Sequence, residues 1–439
     1  MLLCPRRKLC TDYPSGKRFW AGLKNGIRNV WRILGPGLIT GAADDDPSGI
    51  ATYSQAGAQF GYALTWTMVL TLPFMAAIQM ISAAIGWGTG SGLSAAIAQR
   101  LPRPVLLGLV ALLVIANTVN ITADLAAMGD ALRLAIGGPA VAYALAFGAF
   151  CLGAEVLIPY HTYAGYLKLL TFVLFVYVAA AFSVHVPWRT VLSATVLPHS
   201  ALNRDALLMI VALFGTTISP YLFFWQAAQE AEESHLSYRR RTKAPLSPAA
   251  FRHISIDTWS GMTVSNAVAF FIIVTAAATL HAHGIHKIDT AAQAAEALKP
   301  IAGALTFALF SAGIIGTGLL AVPVLAGSAA YGLAEAFRIP GSLELPASRA
   351  IGFYAIVGAA TCAGAVLTLS KIEPITLLFW TAVINGVIAV PIMFAMMLVV
   401  SGKHENLKLP RWLKVVGWLA AALMAIAVVL LLRSELAGP

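Results

Sequence analysis

Residues 41–49 read Gly-Ala-Ala-Asp-Asp-Asp-Pro-Ser-Gly and lie inside an apolar stretch, about 32–60, that is long enough to span a bilayer. A single Asp at the centre of a spanning helix costs about 2.5–3.5 kcal/mol, so three consecutive carboxylates are not expected to face lipid. Pro47 removes a backbone donor and disfavours the helical conformation at Asp46. Unwound backbone at this depth is tolerated only where it is buried in protein or lines a cavity. The stretch therefore predicts a broken helix whose carboxylates face a watery cavity or a cation.

The composition of the whole chain is that of a membrane protein. Its 439 residues are 59% hydrophobic and 11% charged, with a mean hydropathy of +0.79, whereas about 25% of residues are charged in soluble domains. These values exclude a soluble enzyme, a disordered protein and a small secreted module. The four Cys are scattered and form no CxxC pair, so neither a disulfide framework nor a zinc site is predicted. The sequence also lacks a GxxxxGK[ST] phosphate loop and an HExxH pair.

Eleven apolar stretches predict an all-α, polytopic membrane fold. These predicted spans, numbered 1 to 11, are about 32–60, 62–86, 104–128, 139–158, 164–187, 205–228, 259–281, 301–327, 350–370, 374–400 and 412–432. Residues 1–31 are basic and contain no apolar core, so they are predicted to form a cytoplasmic tail and not a signal peptide.

The distribution of positive charge predicts the orientation of the chain. With the amino terminus inside, 22 of the 29 Lys and Arg residues lie in segments on the inner side. Positive charge is retained on the cytoplasmic side of membranes, so we expect the amino terminus in the cytoplasm and the carboxyl terminus outside. The expected location is the plasma membrane, the inner membrane of a bacterium. Topology thus accounts for the net charge of +10, and no nucleic-acid partner is indicated.

A second broken helix is predicted in span 6. Residues 214–221 read Phe-Gly-Thr-Thr-Ile-Ser-Pro-Tyr, so a Gly again precedes a Pro in mid-span. Spans 1 and 6 are five apart, and an offset of an odd number of spans makes the two repeats inverted. Paired interrupted spans at matching positions indicate a transporter site near the middle of the bilayer. Free carbonyls, hydroxyls and the Asp46 carboxylate would make that site an oxygen-lined cation site.

The chain resembles the Nramp family of divalent-metal transporters in residues 35–37, 46–52 and 55–62, which read Gly-Pro-Gly, Asp-Pro-Ser-Gly-Ile-Ala-Thr and Gln-Ala-Gly-Ala-Gln-Phe-Gly-Tyr. Further similarity lies at the end of span 2, at residues 123–126 and at Pro220. The resemblance implies the leucine-transporter fold, with metal bound between unwound spans 1 and 6. Residues 32–187 are then the first five-span repeat, 205–400 the inverted second repeat, and 412–432 the eleventh span.

Departures from the family pattern bear on the transported ion. Gly49 stands where the family has Asn, and Ser219 stands where it has a Met just before the Pro. Thr216 replaces a family Ala. A thioether favours transition metals, so a hydroxyl in its place removes that bias. Since Mg²⁺ dehydrates reluctantly, a roomy carboxylate-rich site suits a partly hydrated ion. The pattern is similar to the Nramp-related magnesium transporter branch, and Mn²⁺ stays an alternative.

The expected site has one principal carboxylate and several weaker oxygen ligands. Asp46 is the charged first ligand, Thr216 and Ser219 lend hydroxyl or carbonyl oxygens beside Gly49, and Asp44 and Asp45 are outer or entrance groups. The resemblance places Asp124 on a proton route, with helix packing as the alternative role. Two other groups of that route are replaced by Ala127 and Tyr221, which predicts weak or absent proton coupling. No cofactor is expected besides the transported divalent ion, and protons stay an open partner.

Several further residues carry two interpretations each. Asn385 in span 10 flanks the site or makes an interhelical hydrogen bond. Gln226, Gln229 and Glu230 line an inner vestibule or form a solvated helix end. The trio His281, His283 and His286 has metal-like spacing or is incidental. For function, the prediction is a secondary transporter that imports Mg²⁺ and/or Mn²⁺ by alternating access, and not an enzyme. The alternatives are a proton-coupled Mn²⁺/Fe²⁺ symporter and a divalent-cation channel.

Overall fold

A computed structural model of the chain describes residues 36–158, 174–198, 203–237, 246–370, 372–402 and 407–436. The regular elements in these ranges are all helices. The predicted basic tail, residues 164–173 of span 5 and some of the loops lie outside the described residues. The predicted all-α class is confirmed.

Spans 1 and 6 each consist of two helices. Span 1 is Pro36–Asp44 followed by Pro47–Phe60, and span 6 is Arg204–Thr217 followed by Pro220–Ser237. The other spans are Trp66–Thr89 for span 2, Arg103–Ile136 for span 3, Ala140–Leu157 for span 4, Pro248–Thr279 for span 7, Thr306–Phe337 for span 8, Ile351–Leu367 for span 9, Pro374–Ser401 for span 10 and Arg411–Leu436 for span 11. Phe175–Ser183 is the described helix of span 5. Short helices at Leu93–Ala98, Trp188–Val196, Ala291–Glu296 and Lys299–Ala302 join them.

The helices agree with the eleven predicted spans, although several are longer than predicted. Among the described residues, eight helical stretches are long and apolar enough to cross a membrane, and span 9 is a shorter apolar helix. Spans 3, 7 and 8 contain 34, 32 and 32 residues. Span 7 begins at Pro248 and not near 259, because Ser247 caps its first turn by accepting the amide of Ala250 and Pro248 fits the first helical position.

The packing of the spans shows the predicted internal repeat. Span 1 packs along span 7, and the second half of span 6 packs along span 2. Span 3 lies against span 4, span 8 lies against span 9, and spans 3 and 8 pack on each other. Each of these pairings becomes another of them when five spans are added or subtracted. The two halves of the chain therefore repeat one arrangement.

Glycines bring the backbones of the equivalent pairs into contact. A Cβ at Gly41 in span 1 would overlap the backbone of Gly261 in span 7. A Cβ at Gly86 in span 2 would overlap the carbonyl group of Ala227 in span 6. Small residues allow such close approach between membrane helices, where packing and not the hydrophobic effect drives association. Both helix pairs are thus held by the same kind of contact.

Candidate functional site

The break in span 1 is organised by Asp46. Its backbone is extended, with φ −67° and ψ 171°, and the second helix begins at Pro47. The Asp46 Oδ1 atom accepts hydrogen bonds from the Gly49 amide at 2.8 Å and the Ser48 hydroxyl at 2.6 Å. Asp46 thus caps the helix that follows, and a carboxylate at a helix amino terminus is also stabilised by the helix dipole. Its second oxygen, Oδ2, points toward span 6.

The break in span 6 uses hydroxyl groups in the same way. The Ser219 hydroxyl lies 2.8 Å from the carbonyl oxygens of both Gly215 and Thr216, and the Thr216 hydroxyl donates to the Leu213 carbonyl at 2.9 Å. Both hydroxyl hydrogens are therefore donated to backbone carbonyls at the end of the helix, where carbonyls lack an amide partner within the helix. The lone pairs of the two hydroxyl oxygens remain available to a cation.

Tyr221 joins the two breaks. Its hydroxyl donates to the carbonyl of Ala43 at 2.9 Å and lies 3.4 Å from the Asp46 Oδ2 atom. Tyr221 is fully buried. The sequence analysis noted Tyr221 only because it replaces a family His. Nothing in the sequence predicted that its hydroxyl bridges the two breaks. The structure therefore places the unwound ends of spans 1 and 6 side by side.

Asp44 and Asp45 face span 7 instead of span 6. The Ser265 hydroxyl lies 2.9 Å from Asp44 Oδ2 and 3.1 Å from Asp45 Oδ1. Both carboxylates are buried, and Asp44 Oδ1 has no hydrogen-bond partner among the described residues. One hydroxyl hydrogen cannot serve two carboxylates at once, so this pair calls for further positive charge. Ser265 was missed in the sequence, where it is one of many small polar residues of span 7.

The carboxylates do not form a ready-made cage. No group of three His, Cys, Asp or Glu side chains in the described part of the chain is arranged to hold a metal ion. Asp46 is engaged by its own helix, while its two acidic neighbours are engaged by Ser265. A metal at the break would have few protein ligands in this conformation.

Gly49 and its neighbours are tightly packed. A Cβ at Gly49 would stand 3.2 Å from Tyr53 Cε2 and 3.3 Å from the Asp44 carbonyl oxygen. A side chain here would have to displace the Tyr53 ring. Where the family has an Asn, this chain has Gly49, and the ring of Tyr53, one turn further along the helix and fully buried, packs beside it.

Asp124 lies on span 3, within electrostatic reach of Asp46 and Tyr221. It is fully buried, and within the described ranges neither carboxylate oxygen has a hydrogen-bond partner. A packing role would normally satisfy these oxygens. Asn385 in span 10 is also buried, with an Oδ1 atom that lacks a partner among the described residues. Its place beside the site stays a prediction.

Gln226 and Glu230, which follow the span 6 break, do not line the inner cavity, although one interpretation of the sequence expected them to line a vestibule. Gln226 and Glu230 are buried. The Thr40 hydroxyl of span 1 donates to Gln226 Oε1, whose amide nitrogen donates to Glu230 Oε1 at 3.1 Å. Asp257 of span 7 also accepts the Gly37 amide at 2.6 Å. These contacts hold the first helix of span 1 to spans 6 and 7.

Two cavities flank the site on opposite sides. One of about 330 Å³ lies among spans 1, 6 and 10 and the segment after span 7, and its lining includes Ala51 and Gln55. Ala51 is a little over one helical turn from Asp46, so this cavity reaches almost to the break. The other, of about 370 Å³, lies beyond the contacts of Gln226 and is lined in part by Glu232, Glu335 and Glu344. We call them the outer and inner cavities, following the orientation predicted from charge.

Comparisons with known proteins agree with this architecture. The family model described as Nramp, natural resistance-associated macrophage protein-like, matches residues 37–434. The divalent metal cation transporter MntH of Verminephrobacter eiseniae is 26% identical over 375 residues, which cover 82% of this chain and 83% of that protein. The MntH of Yersinia enterocolitica is 29% identical over 325 residues, covering 70% and 74%.

Solved structures show the same fold. The Eremococcus coleocola manganese transporter, in complex with an aromatic bis-isothiourea substituted compound, has a TM-score of 0.72 at 16% identity and covers 96% of this chain and 89% of its own. Mhp1, a nucleobase-cation-symport-1 family transporter, has a TM-score of 0.54 at 14% identity, with 91% and 93% covered. These similarities confirm the predicted leucine-transporter fold.

Proposed function

Because the chain belongs to the Nramp family, we propose that it is a secondary transporter that imports divalent metal cations, Mg²⁺ and/or Mn²⁺, by alternating access. Members of the family move metal ions, and the chain is not an enzyme. The names of its relatives, divalent metal cation transporters and a manganese transporter, support the cargo class. Import across the plasma membrane is part of this proposal, and the orientation predicted above puts the outer cavity on the extracellular side.

The observation that carries the proposal is the pairing of the two helix breaks. The phenol of Tyr221 in span 6 contacts both the Ala43 carbonyl and the Asp46 carboxylate of span 1. A buried anion beside unwound backbone from two symmetry-related helices is the arrangement expected of a cation site at mid-membrane. Asp46 is assigned as the charged ligand. Thr216 and Ser219 offer oxygens, Gly49 leaves one ligand position to water, and Asp44 with Asp45 adds negative potential.

Mg²⁺ is the preferred cargo in this proposal. All the assigned ligands are oxygens, and Ser219 supplies a hydroxyl where a thioether would favour softer metals. With few protein ligands, the ion would keep part of its water shell, as Mg²⁺ does more readily than transition metals. Mn²⁺ also accepts oxygen ligands and is the second candidate.

Proton coupling is proposed to be weak or absent. A relay needs several groups that exchange protons near neutral pH, and here Ala127 and Tyr221 occupy two of the expected positions. One observation favours the proton-coupled symporter instead. Asp124 is buried near Asp46, and its carboxylate has no partner within the described ranges, as a proton carrier would require.

The decisive experiment is metal uptake by proteoliposomes containing an Asp46 variant. Asp46→Ala removes the charged ligand, so we expect uptake to fall to the background of empty liposomes. Glu373→Gln, at an exposed position that lines neither cavity, is the matched loss of one carboxylate and should leave uptake unchanged. Unimpaired uptake by Asp46→Ala would remove Asp46 from the site.

The same preparation distinguishes the cargo and the mechanism. If Mg²⁺ is the cargo, excess Mg²⁺ suppresses Mn²⁺ uptake, and Mg²⁺ itself enters at millimolar concentrations. High-affinity Mn²⁺ uptake that excess Mg²⁺ does not reduce would contradict the magnesium assignment. A transporter shows counterflow and saturation, whereas a channel shows neither. Acidification of the liposome lumen in step with metal entry would establish proton coupling.

A further inference from the structure

Two of the three histidines after span 7 converge on one backbone oxygen. His281 Nδ1 lies 2.8 Å from the carbonyl oxygen of Ala58, and His286 Nδ1 lies 3.4 Å from the same atom. The two Nδ1 atoms are 3.3 Å apart, with ring centroids at 4.7 Å and ring planes at 72°. Ala58 belongs to the last turn of span 1, whose carbonyls have no partner within the helix.

The triangle formed by these three atoms has the size of one face of a tetrahedral metal site. Ligand atoms at the usual Zn–N distance of about 2.0–2.1 Å stand about 3.3 Å apart around a tetrahedral ion. Two sides of the triangle match that value, at 3.3 and 3.4 Å, and the third is shorter at 2.8 Å. An ion about 1 Å above the plane would therefore reach all three atoms with little movement of the rings.

The surroundings suit an incoming cation. His286 is exposed and lines the outer cavity. The nearby positive charge of Lys287 is balanced by Asp289, whose carboxylate lies 2.7 Å from the ammonium group. The His281 ring rests on Gly61, where a Cβ would stand 3.3 Å from the imidazole. Gly61 has φ +57°, a conformation that favours glycine, so the backbone leaves room for the ring.

We propose that His281, His286 and the Ala58 carbonyl bind a borderline transition-metal ion such as Zn²⁺ or Cu²⁺, and that this ion inhibits transport from the outer side. The binding site is separate from the break at Asp46 and differs from it in chemistry. Imidazole nitrogen prefers Zn²⁺ and Cu²⁺ to Mg²⁺, whereas the break offers oxygen alone. In the bound form each neutral imidazole carries its proton on Nε2 and uses Nδ1 as the ligand.

The inhibitory effect follows from what the ion would connect. Ala58 lies in the last turn of the second helix of span 1, and the histidines begin the segment that leads from span 7 to span 8. Gln55 already joins the same parts, because its Oε1 atom accepts the Ile288 amide at 2.8 Å. A coordinated metal would fix the end of span 1 at the edge of the outer cavity. This part of the inference rests on the proposed function, since it requires span 1 to move during transport.

Binding is tested first, without reference to transport. Tag-free full-length protein in detergent is given less than one equivalent of Cu²⁺, and its electron paramagnetic resonance spectrum is recorded. We expect splitting from two imidazole nitrogens, which an oxygen-only site cannot produce. His281→Gln/His286→Gln should lose this splitting. His283→Gln is the matched control and should keep it, because His283 Nδ1 contacts the Thr279 carbonyl instead. A wild-type spectrum without nitrogen splitting, or a double variant that retains it, would overturn the site.

Inhibition is tested by adding Zn²⁺ outside proteoliposomes during Mg²⁺ or Mn²⁺ uptake. Wild type and His283→Gln should be inhibited alike. The double variant should need a Zn²⁺ concentration higher by at least about tenfold, the lower end of what losing even an outer ligand partner costs a metal site. Equal inhibition of wild type and double variant would place Zn²⁺ at the cargo site and refute this regulatory role. If wild type carries no metal, the proposed function fails and the resonance spectra still decide the binding site.

Discussion

At the residue scale, the candidate site has fewer hydrogen-bond donors than acceptor oxygens. Asp46 receives two donors at one oxygen, and the hydrogens of Ser219 and Thr216 are directed to backbone carbonyls. The lone pairs that remain around the break are therefore acceptors. A buried set of acceptors without donors is costly until a cation or its bound water supplies the missing positive charge.

Substitution of Tyr221 separates its bridging role from its bulk. Tyr221→Phe keeps the ring but removes the donor to the Ala43 carbonyl, so a buried acceptor loses its partner at a cost of about 1–3 kcal/mol. We expect a lower thermal midpoint and slower uptake. Metal present in excess should restore part of the stability, because binding favours the folded state. Unchanged midpoint and uptake would show that the bridge contributes nothing. Tyr143→Phe, which loses a hydroxyl bond to Gly137 in an exposed setting, is the control.

Ser219 offers a test of ion preference. Ser219→Met places a thioether beside the break, and a soft ligand favours Mn²⁺ over Mg²⁺. We expect the concentration of Mg²⁺ needed to halve Mn²⁺ uptake to rise. Thr217→Met, at the last residue of the first helix of span 6, should not have this effect, because the Thr217 hydroxyl contacts the Leu213 carbonyl and the residue is not among the assigned ligands. If Ser219→Met leaves the Mg²⁺ concentration that halves Mn²⁺ uptake unchanged, this position does not contact the ion.

At the element scale, the breaks were predictable and their neighbours were not. Pro47 and Pro220 each end a helix by a local steric effect that needs no knowledge of the fold. The partner of Asp44 and Asp45 depends on which helix lies alongside, whereas Asp46 caps its own helix. Ser265 contacts residues 220 and 221 positions earlier in the chain, so no local pattern could have revealed it. For the same reason the sequence left Gln226 open between a vestibule and a solvated helix end, and neither interpretation foresaw that it is buried against Thr40.

The glycine contact between spans 1 and 7 predicts that a Gly→Ala substitution is destabilising there but not at an open position of another span. Gly41→Ala places a methyl group against the Gly261 backbone, which has to move at a cost of about 1–3 kcal/mol. Gly108→Ala in span 3 meets no atom within 4 Å and should be neutral or slightly stabilising. The thermal midpoint in detergent and the uptake rate in proteoliposomes should both fall for Gly41→Ala and stay unchanged for Gly108→Ala. Equal behaviour of the two variants would contradict the close packing.

At the scale of the whole molecule, the structure has two cavities separated by the helix breaks and by the contact of Thr40 with Gln226. The outer cavity reaches Ala51, while the inner cavity stays behind that contact. Access to Asp46 is thus nearer from the side where the histidines lie. Which side this is in the cell rests on the charge distribution alone, so the orientation needs its own test.

Cysteine labelling of intact cells measures the orientation directly. In a background without native Cys, Lys287→Cys should react with a membrane-impermeant maleimide, because it is exposed on the predicted outer side. Arg411→Cys, at the start of span 11, should react only after the cells are made permeable. The reverse pattern would invert the orientation and place the outer cavity on the cytoplasmic side.

The repeated pairing of spans 1 with 7 and 6 with 2 has a consequence for the opposite-facing conformation of the molecule. Since the two halves are the same arrangement facing opposite ways, exchanging their backbone conformations generates the opposite-facing form. If the chain works by alternating access as proposed, we expect that form to release the contact of Thr40 with Gln226 and to narrow the outer cavity, which Gln55 and Met209 line. Because of this inverted repeat, the structure of one conformation also describes the expected backbone arrangement of the opposite-facing one.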